Sequence, residues 1–236
     1  MTFTSFYFGM DGSSSTPFPC TGSGHSFYIG RVGGEVTESS AEFNVATAQA
    51  ATPAFTSAYW DLGGSTSIPA GLTASQWGQK QAEAFITAIA TGPNAIHIQG
   101  KTLFCDIEAG NPGWAKSDPA LNREILNGFL DVIATLGFVP GVYANLSDFD
   151  RYLGASWIAT TPFVWWLADW YVALKTCREA ETNFNNFFAG NDTYSRGGYK
   201  VMIWQYNGTQ GGSPRDLNVT PYNGYLNGHW NPTPAG

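Results

Sequence analysis

Runs of strand length and runs of helix length take turns along this chain, and that alternation limits most strongly what it can fold into. "SFYFGMD" (5–11), "SFYIGRVG" (26–33) and "TSAYWDLG" (56–63) carry the aromatic and β-branched residues of strands. "KTLFCDIE" (101–108), "FVPGVYAN" (138–145), "PFVWWLADW" (162–170) and "KVMIWQYNG" (200–208) continue the series. Helices are expected at 39–50, at 72–92 and from Asp118 to Gly137. In the second, Thr73 and Gln76 fit a capping box, and Trp77, Gln81, Ala84, Phe85 and Ile89 share one face before Gly92 and Pro93 end it. In the third, Asp118 takes the N-cap and Pro119 the first helical position. Leu121, Ile125, Phe129, Ile133 and Leu136 then recur at helical spacing. Such alternation gives an α/β fold with a mainly parallel sheet. Seven or eight strands within 236 residues suit an irregular, TIM-like (β/α) barrel better than an open doubly wound sheet, with residues 1–236 forming a single domain. The stretch 171–199 loses the pattern and reads as a long excursion, and the Pro-rich tail as surface.

Charge and cysteine usage narrow the function. Only 12% of residues are charged while 15% are aromatic, so Gly, Ser, Thr and Asn must build much of the surface. That balance suits uncharged polar ligands such as sugars, whose rings stack on Trp and Tyr. A net charge of -7 with no basic cluster excludes nucleic acid as a partner. No run reaches the roughly 18 apolar residues of a spanning helix, so membrane insertion is not expected. The start "MTFTSFYFGM" lacks the basic segment of a signal peptide, which points to a mature chain or to export by other means. Cys20, Cys105 and Cys177 are too far apart for a zinc site and allow at most one disulfide, and His25, His97 and His229 stand alone. "GGSTSIPAG" has neither a P-loop lysine nor dinucleotide-binding glycine spacing, so neither metal nor cofactor is expected. The N-x-S/T sequences at Asn145, Asn191, Asn207 and Asn218 read as chance.

Against so little charge, the acids in "LFCDIEAG" (103–110) stand out. In a strand, Asp106 and Glu108 project to the same face as Phe104, and Cys105 and Ile107 to the other. Glu108 falls at the strand's C-terminal end, where β/α barrels carry their active sites. Two carboxylates on one wall hinder each other's ionisation and raise a pKa into the range of a general acid. Pairing with a basic group, or holding a divalent metal, are the competing uses of such a pair. Asp11, Asp61, Asp169 and Asp216 occupy comparable strand ends. Aromatic residues accompany them, Tyr59, Trp114, Tyr143 and Trp166 among them, and strand alternation turns some toward the barrel mouth.

In order, "GMDGSS", "FCDIE", "GVYAN", "WWLADWY", "IWQYNG" and "RDLNV" resemble the family 25 glycoside hydrolases, the Chalaropsis-type lysozymes, and related glycoside-hydrolase-like domains, over about residues 5–225. The resemblance implies an N-acetylmuramidase that cuts the β-1,4 bond between N-acetylmuramic acid and N-acetylglucosamine in peptidoglycan. By this likeness Glu108 matches the general acid and Asp106 the carboxylate beside the substrate acetamido group. Asp11 matches the first-strand acid and Asp216 the acid of the late D-x-N segment, with Tyr143, Trp166 and Gln205 near the cleft. Asp169, Trp114 and Tyr59 complete the expected substrate-binding set. Substrate-assisted catalysis and direct displacement by activated water both remain open. The alternatives are a non-catalytic glycan-binding relative, or a hydrolase of another N-acetylhexosamine polymer such as chitin. The expected setting is a monomer acting on peptidoglycan strands, secreted or released by a phage to the cell wall, as endolysins and antimicrobial lysozymes are.

Overall fold

The structure, a computed structural model, describes residues 6–11, 27–38, 56–91, 100–169, 177–188, 191–207 and 216–221. The helix expected at 39–50, the three histidines and Cys20 lie outside the described residues. The strands are β1 (Tyr7–Asp11), β2 (Phe27–Gly34), β3 (Thr37–Glu38), β4 (Thr56–Asp61), β5 (Thr102–Asp106), β6 (Val139–Asn145), β7 (Val164–Ala168), β8 (Val201–Asn207) and β9 (Asp216–Thr220). The helices are α1 (Ala74–Thr91), α2 (Pro119–Thr135), α3 (Leu146–Tyr152) and α4 (Cys177–Phe187).

Eight of these strands close into the expected irregular barrel, in the order β1-β2-β4-β5-β6-β7-β8-β9 and back to β1. β3 pairs only with β2, as a short antiparallel extension. Every neighbour in the ring is parallel except β9, which runs antiparallel to both β8 and β1.

Strand alternation sorts the apolar side chains into two layers. Phe27, Ile29, Phe104, Tyr143, Val164 and Trp166 fill the barrel interior. Leu103, Cys105, Val142, Trp165 and Leu167 face outward into the layer shared with the helices. The interior is crowded enough to require glycine opposite its largest rings: a Cβ on Gly9 or Gly141 would come within 2.2 Å of the Phe27 or Phe104 ring.

The helix starts follow the sequence closely. Thr73 N–H donates to Gln76 Oε1 (2.9 Å) and Gln76 N–H to Thr73 Oγ1 (3.2 Å), which is the capping box. In α1 the inward face is Trp77, Gln81, Ala82, Phe85, Ala88 and Ile89, with Ala84 at its margin. Gln81 is buried because both ends of its amide bond the Gly63 backbone. Asp118 and Pro119 begin α2 as expected, although the Asp118 side chain accepts from Ser117 instead of capping the helix. The apolar stripe on α2 is shorter than its spacing suggests: Leu121 and Leu136 are 39% and 52% exposed, lying beyond the contact with α1.

One expectation is corrected. The stretch 171–199 is not one loop, for α4 occupies Cys177–Phe187 and sets Ala180 and Phe184 into the outer layer. Its mean hydropathy is low and its Asn content high, which hid the amphipathic face. The "DLNV" part of the late motif lies in the strand β9, whose inward residues are polar. Cys177 is disulfide-bonded and Cys105 is a free, buried thiol. Among the described residues no helix is long and apolar enough to cross a membrane.

Candidate active site

All the inward acids gather at one end of the barrel, where the parallel strands finish. Register places Asp61, Asp106, Tyr143 and Trp166 level with one another across β4, β5, β6 and β7. β9 arrives from the opposite direction, so its first residue, Asp216, is level with the last residue of β1, Asp11. Glu108 lies just past the end of β5, half-buried at the rim. Ile107 N–H still donates to Tyr143 O (2.9 Å), so Glu108 continues the direction in which Asp106 points.

A hydrogen-bonded chain joins the two sides of the mouth. The Tyr143 hydroxyl donates to Gln205 Oε1 (2.8 Å) and also reaches the Glu108 carboxyl. The Gln205 amide donates to both oxygens of Asp11, at 2.9 and 3.0 Å. Asn218 Nδ2 donates to Asp11 Oδ1 (2.5 Å), and its own carbonyl accepts from the Trp166 indole (2.8 Å). Asp106 is held separately: Asn111 Nδ2 donates to its carbonyl (2.8 Å) and to Oδ1 (3.3 Å). Arg31 pairs with Asp61 at 2.9 Å beside it.

Burial and mutual repulsion push these acids toward the protonated form. Desolvation raises the Asp11 carboxyl well above the usual range, Asp216 and Glu108 add to it, and the Asn218 and Gln205 amides oppose it. Burial likewise raises Asp106 well above that range, with Glu108, Asp61 and Asp11 adding repulsion against the bond from Asn111. Glu108 is raised by desolvation and by Asp148 and Asp216, while its bond from Tyr143 lowers it. The Tyr143 phenol is itself pushed well up by burial and three acids, so it remains a donor at neutral pH. A half-buried carboxyl whose pKa is raised, at the edge of the barrel mouth, is suited to protonate a departing oxygen.

The remaining expected residues divide. Tyr59 points inward with its ring edge to Trp166 (6.3 Å between centroids). Asp169 follows β7; its N–H donates to Gln205 O (3.2 Å) and its carbonyl accepts from the Trp204 indole (2.9 Å). Trp114 is outside the acid network, its indole donating to Leu62 O (2.6 Å) and its ring against Tyr152. Trp166 is 1% exposed, so its visible work is on Asn218. Asn218, Asn111, Arg31 and Asp148 escaped sequence reasoning. Asn218 is the last residue of the D-x-N motif and could have been found there; an amide that serves a carboxylate on another strand leaves no local signal. Among the described residues, no group of three or more His, Cys, Asp or Glu is arranged to hold a metal ion.

The closed barrel, parallel but for one strand, shares its fold with solved family 25 glycoside hydrolases. The family 25 lysozyme of Aspergillus fumigatus superimposes with a TM-score of 0.60 at 16% identity, covering 92% of this chain and 94% of that one. The muramidase of Trichobolus zukalii gives 0.53 at 17% identity, over 87% and 89%. The modular Cpl-1 endolysin, solved in complex with a peptidoglycan analogue, gives 0.57 at 18% identity over 93% of this chain and 55% of its own length. No protein-family model and no curated protein matches the sequence. At these identities the likeness is one of fold.

Proposed function

We propose that this chain is a glycoside hydrolase of the lysozyme type, cutting the β-1,4 bond between N-acetylmuramic acid and N-acetylglucosamine in peptidoglycan. The observation that carries the reading is the contrast among the acids. Asp11 and Asp106 are buried and held by amides, whereas Glu108 alone of the three is half-exposed with its proton favoured. Glu108 gives that proton to the glycosidic oxygen as the bond to the anomeric carbon breaks. Asp106 stands on the same wall, two residues earlier, and supports the substrate acetamido group as its oxygen attacks that carbon. Water then opens the cyclic intermediate, with Glu108 taking back a proton. Asp11, Gln205 and Tyr143 hold the floor of the site, Asp216 and Asp169 line its rim, and Tyr59 and Trp166 pack beneath it.

Direct displacement is the second reading, favoured by one observation. β9 lies four strands from β5 around the ring, so Asp216 faces Glu108 from across the mouth. A carboxylate there suits a base that activates water on the far face of the sugar. Trp166 itself is buried and offers no ring face to a sugar.

The test is reducing-end release from purified peptidoglycan by wild type and Glu108→Gln, with products identified by mass spectrometry. Muramic-acid reducing ends, lost in the variant, are the expected result. No release by wild type would overturn the reading, and release from chitin alone would move it to that polymer. The anomeric configuration of the first product separates the mechanisms: retention for acetamido assistance, inversion for direct displacement.

A further inference from the structure

Where the β5 ladder ends, the backbone around Glu108 needs a new acceptor. Ile107 N–H donates to Tyr143 O on β6, and a continued parallel ladder would give Ala109 N–H the carbonyl of Asn145. Asn145 is instead the N-cap of α3, and an N-cap carbonyl is committed to the first turn of its helix. The acceptor that replaces it is a side chain: Asp148 Oδ2 takes the Ala109 N–H at 3.1 Å. Asp148 is itself fixed. Its Oδ2 accepts from Asn145 Nδ2 (2.8 Å), its N–H donates to Asn145 Oδ1 (2.8 Å), and it is buried.

We propose that Asp148 is a positioning residue for Glu108, pinning the peptide bond that follows the acid and facing that acid with a fixed negative charge. The proposal rests on the reading of Glu108 as the general acid and adds a residue from a different element to it. The titratable groups that act on Glu108 are Tyr143 on β6, Asp216 on β9, Asp11 on β1, Asp106 on β5 and Asp148 on α3. Asp148 and Asp216 both raise its carboxyl. Among the described ion pairs Asp148 has one cation beside it, Arg151, 3.8 Å away and half exposed.

The sign follows directly. An anion beside a carboxyl favours its protonated form, so Asp148 keeps Glu108 protonated to higher pH. Asp148→Asn keeps an oxygen for the Ala109 N–H and removes the charge, and Arg151→Gln removes the neighbouring cation and leaves the pin intact. Glu108 is titrated in each protein by carboxyl-carbon NMR, which needs no turnover, and the pH profile of kcat on peptidoglycan is recorded beside it. Asp148→Asn is expected to move the Glu108 titration and the alkaline limb of kcat to lower pH, and Arg151→Gln to move both upward. Asp148→Ala, which also frees the peptide, is expected to lower kcat by roughly 10-fold to 10²-fold with KM little changed. A Glu108 titration unmoved in both charge variants would overturn the proposal, even if peptidoglycan is cut as expected. A shifted titration without peptidoglycan cleavage would uphold it and sink the assigned substrate instead.

Discussion

The two sides of the barrel mouth treat their carboxylates differently. On the β1–β9–β8 side, Asp11 is tied by two amides that are themselves tied to Tyr143 and Trp166, so the acid has one position. On the β5 side, Asp106 has one weak side-chain bond from Asn111, and Glu108 shares a single hydroxyl proton with Gln205. Both sides are desolvated, and both hold protons above the usual range. The difference is in restraint: Asp11 is held by several short bonds, Asp106 and Glu108 by few.

Substitutions should break that contrast in a graded way. Glu108→Gln, near-isosteric, should lower kcat on peptidoglycan by about 10² to 10⁴-fold without lowering the melting temperature, by initial rates and a thermal melt. Asp106→Asn should cost about 10²-fold in rate, since its charge supports the reacting group and its shape is kept. Asn218→Ala acts on the framework side: it strips a donor from Asp11 and an acceptor from Trp166, both buried. Its expected cost is about 1 to 3 kcal/mol of stability in denaturant unfolding, with a smaller loss of rate than Asp106→Asn.

The smallest effect concerns pH and has the opposite sign. A buried Asp whose pKa is raised on folding contributes its stability fully below the unfolded value and loses it as pH rises through the folded one. Asp106→Asn removes one such group, and the replacement amide oxygen still accepts from Asn111. The variant should therefore melt above wild type at pH 7, and the gap should close below about pH 4, the ordinary Asp range. A variant melting below wild type at neutral pH would show that Asp106 is ionised at no cost to the fold.

Periodicity and caps made the barrel legible, because strands buried between two layers and helices with one wet face leave strong patterns. β5 and its acids, α1 with its capping box and α2 with Asp118 and Pro119 all read from local residues. α3 spans two turns and α4 is rich in Asn, too little apolar spacing to see. In β9 the inward positions Asp216, Asn218 and Thr220 are polar, so the strand does not resemble its neighbours. The site was half legible for the same reason. Acids at strand ends are rare enough to notice in a chain with 18 of them, while the amides of Asn218 and Asn111 are ordinary residues whose meaning depends on who stands opposite. Trp114 and Trp166 show the converse: aromatic character is visible in sequence, but which way a ring faces is not.

The single antiparallel strand sets when a site can first exist. Asp11, near the start of the chain, takes its amides from Gln205 and Asn218, 194 and 207 positions later. On the ribosome, a nascent chain that has not yet released β9 has an open seam beside β1 and an acid without its second holder, Asn218. The charge arrangement of the mouth therefore comes into being only with the last described strand. Contacts of such long sequence separation form late and slowly. Catalytic competence is in this sense a report on completed synthesis, and a carboxy-terminal truncation before Asp216 should yield a protein with Glu108 present and its counterpart across the mouth missing.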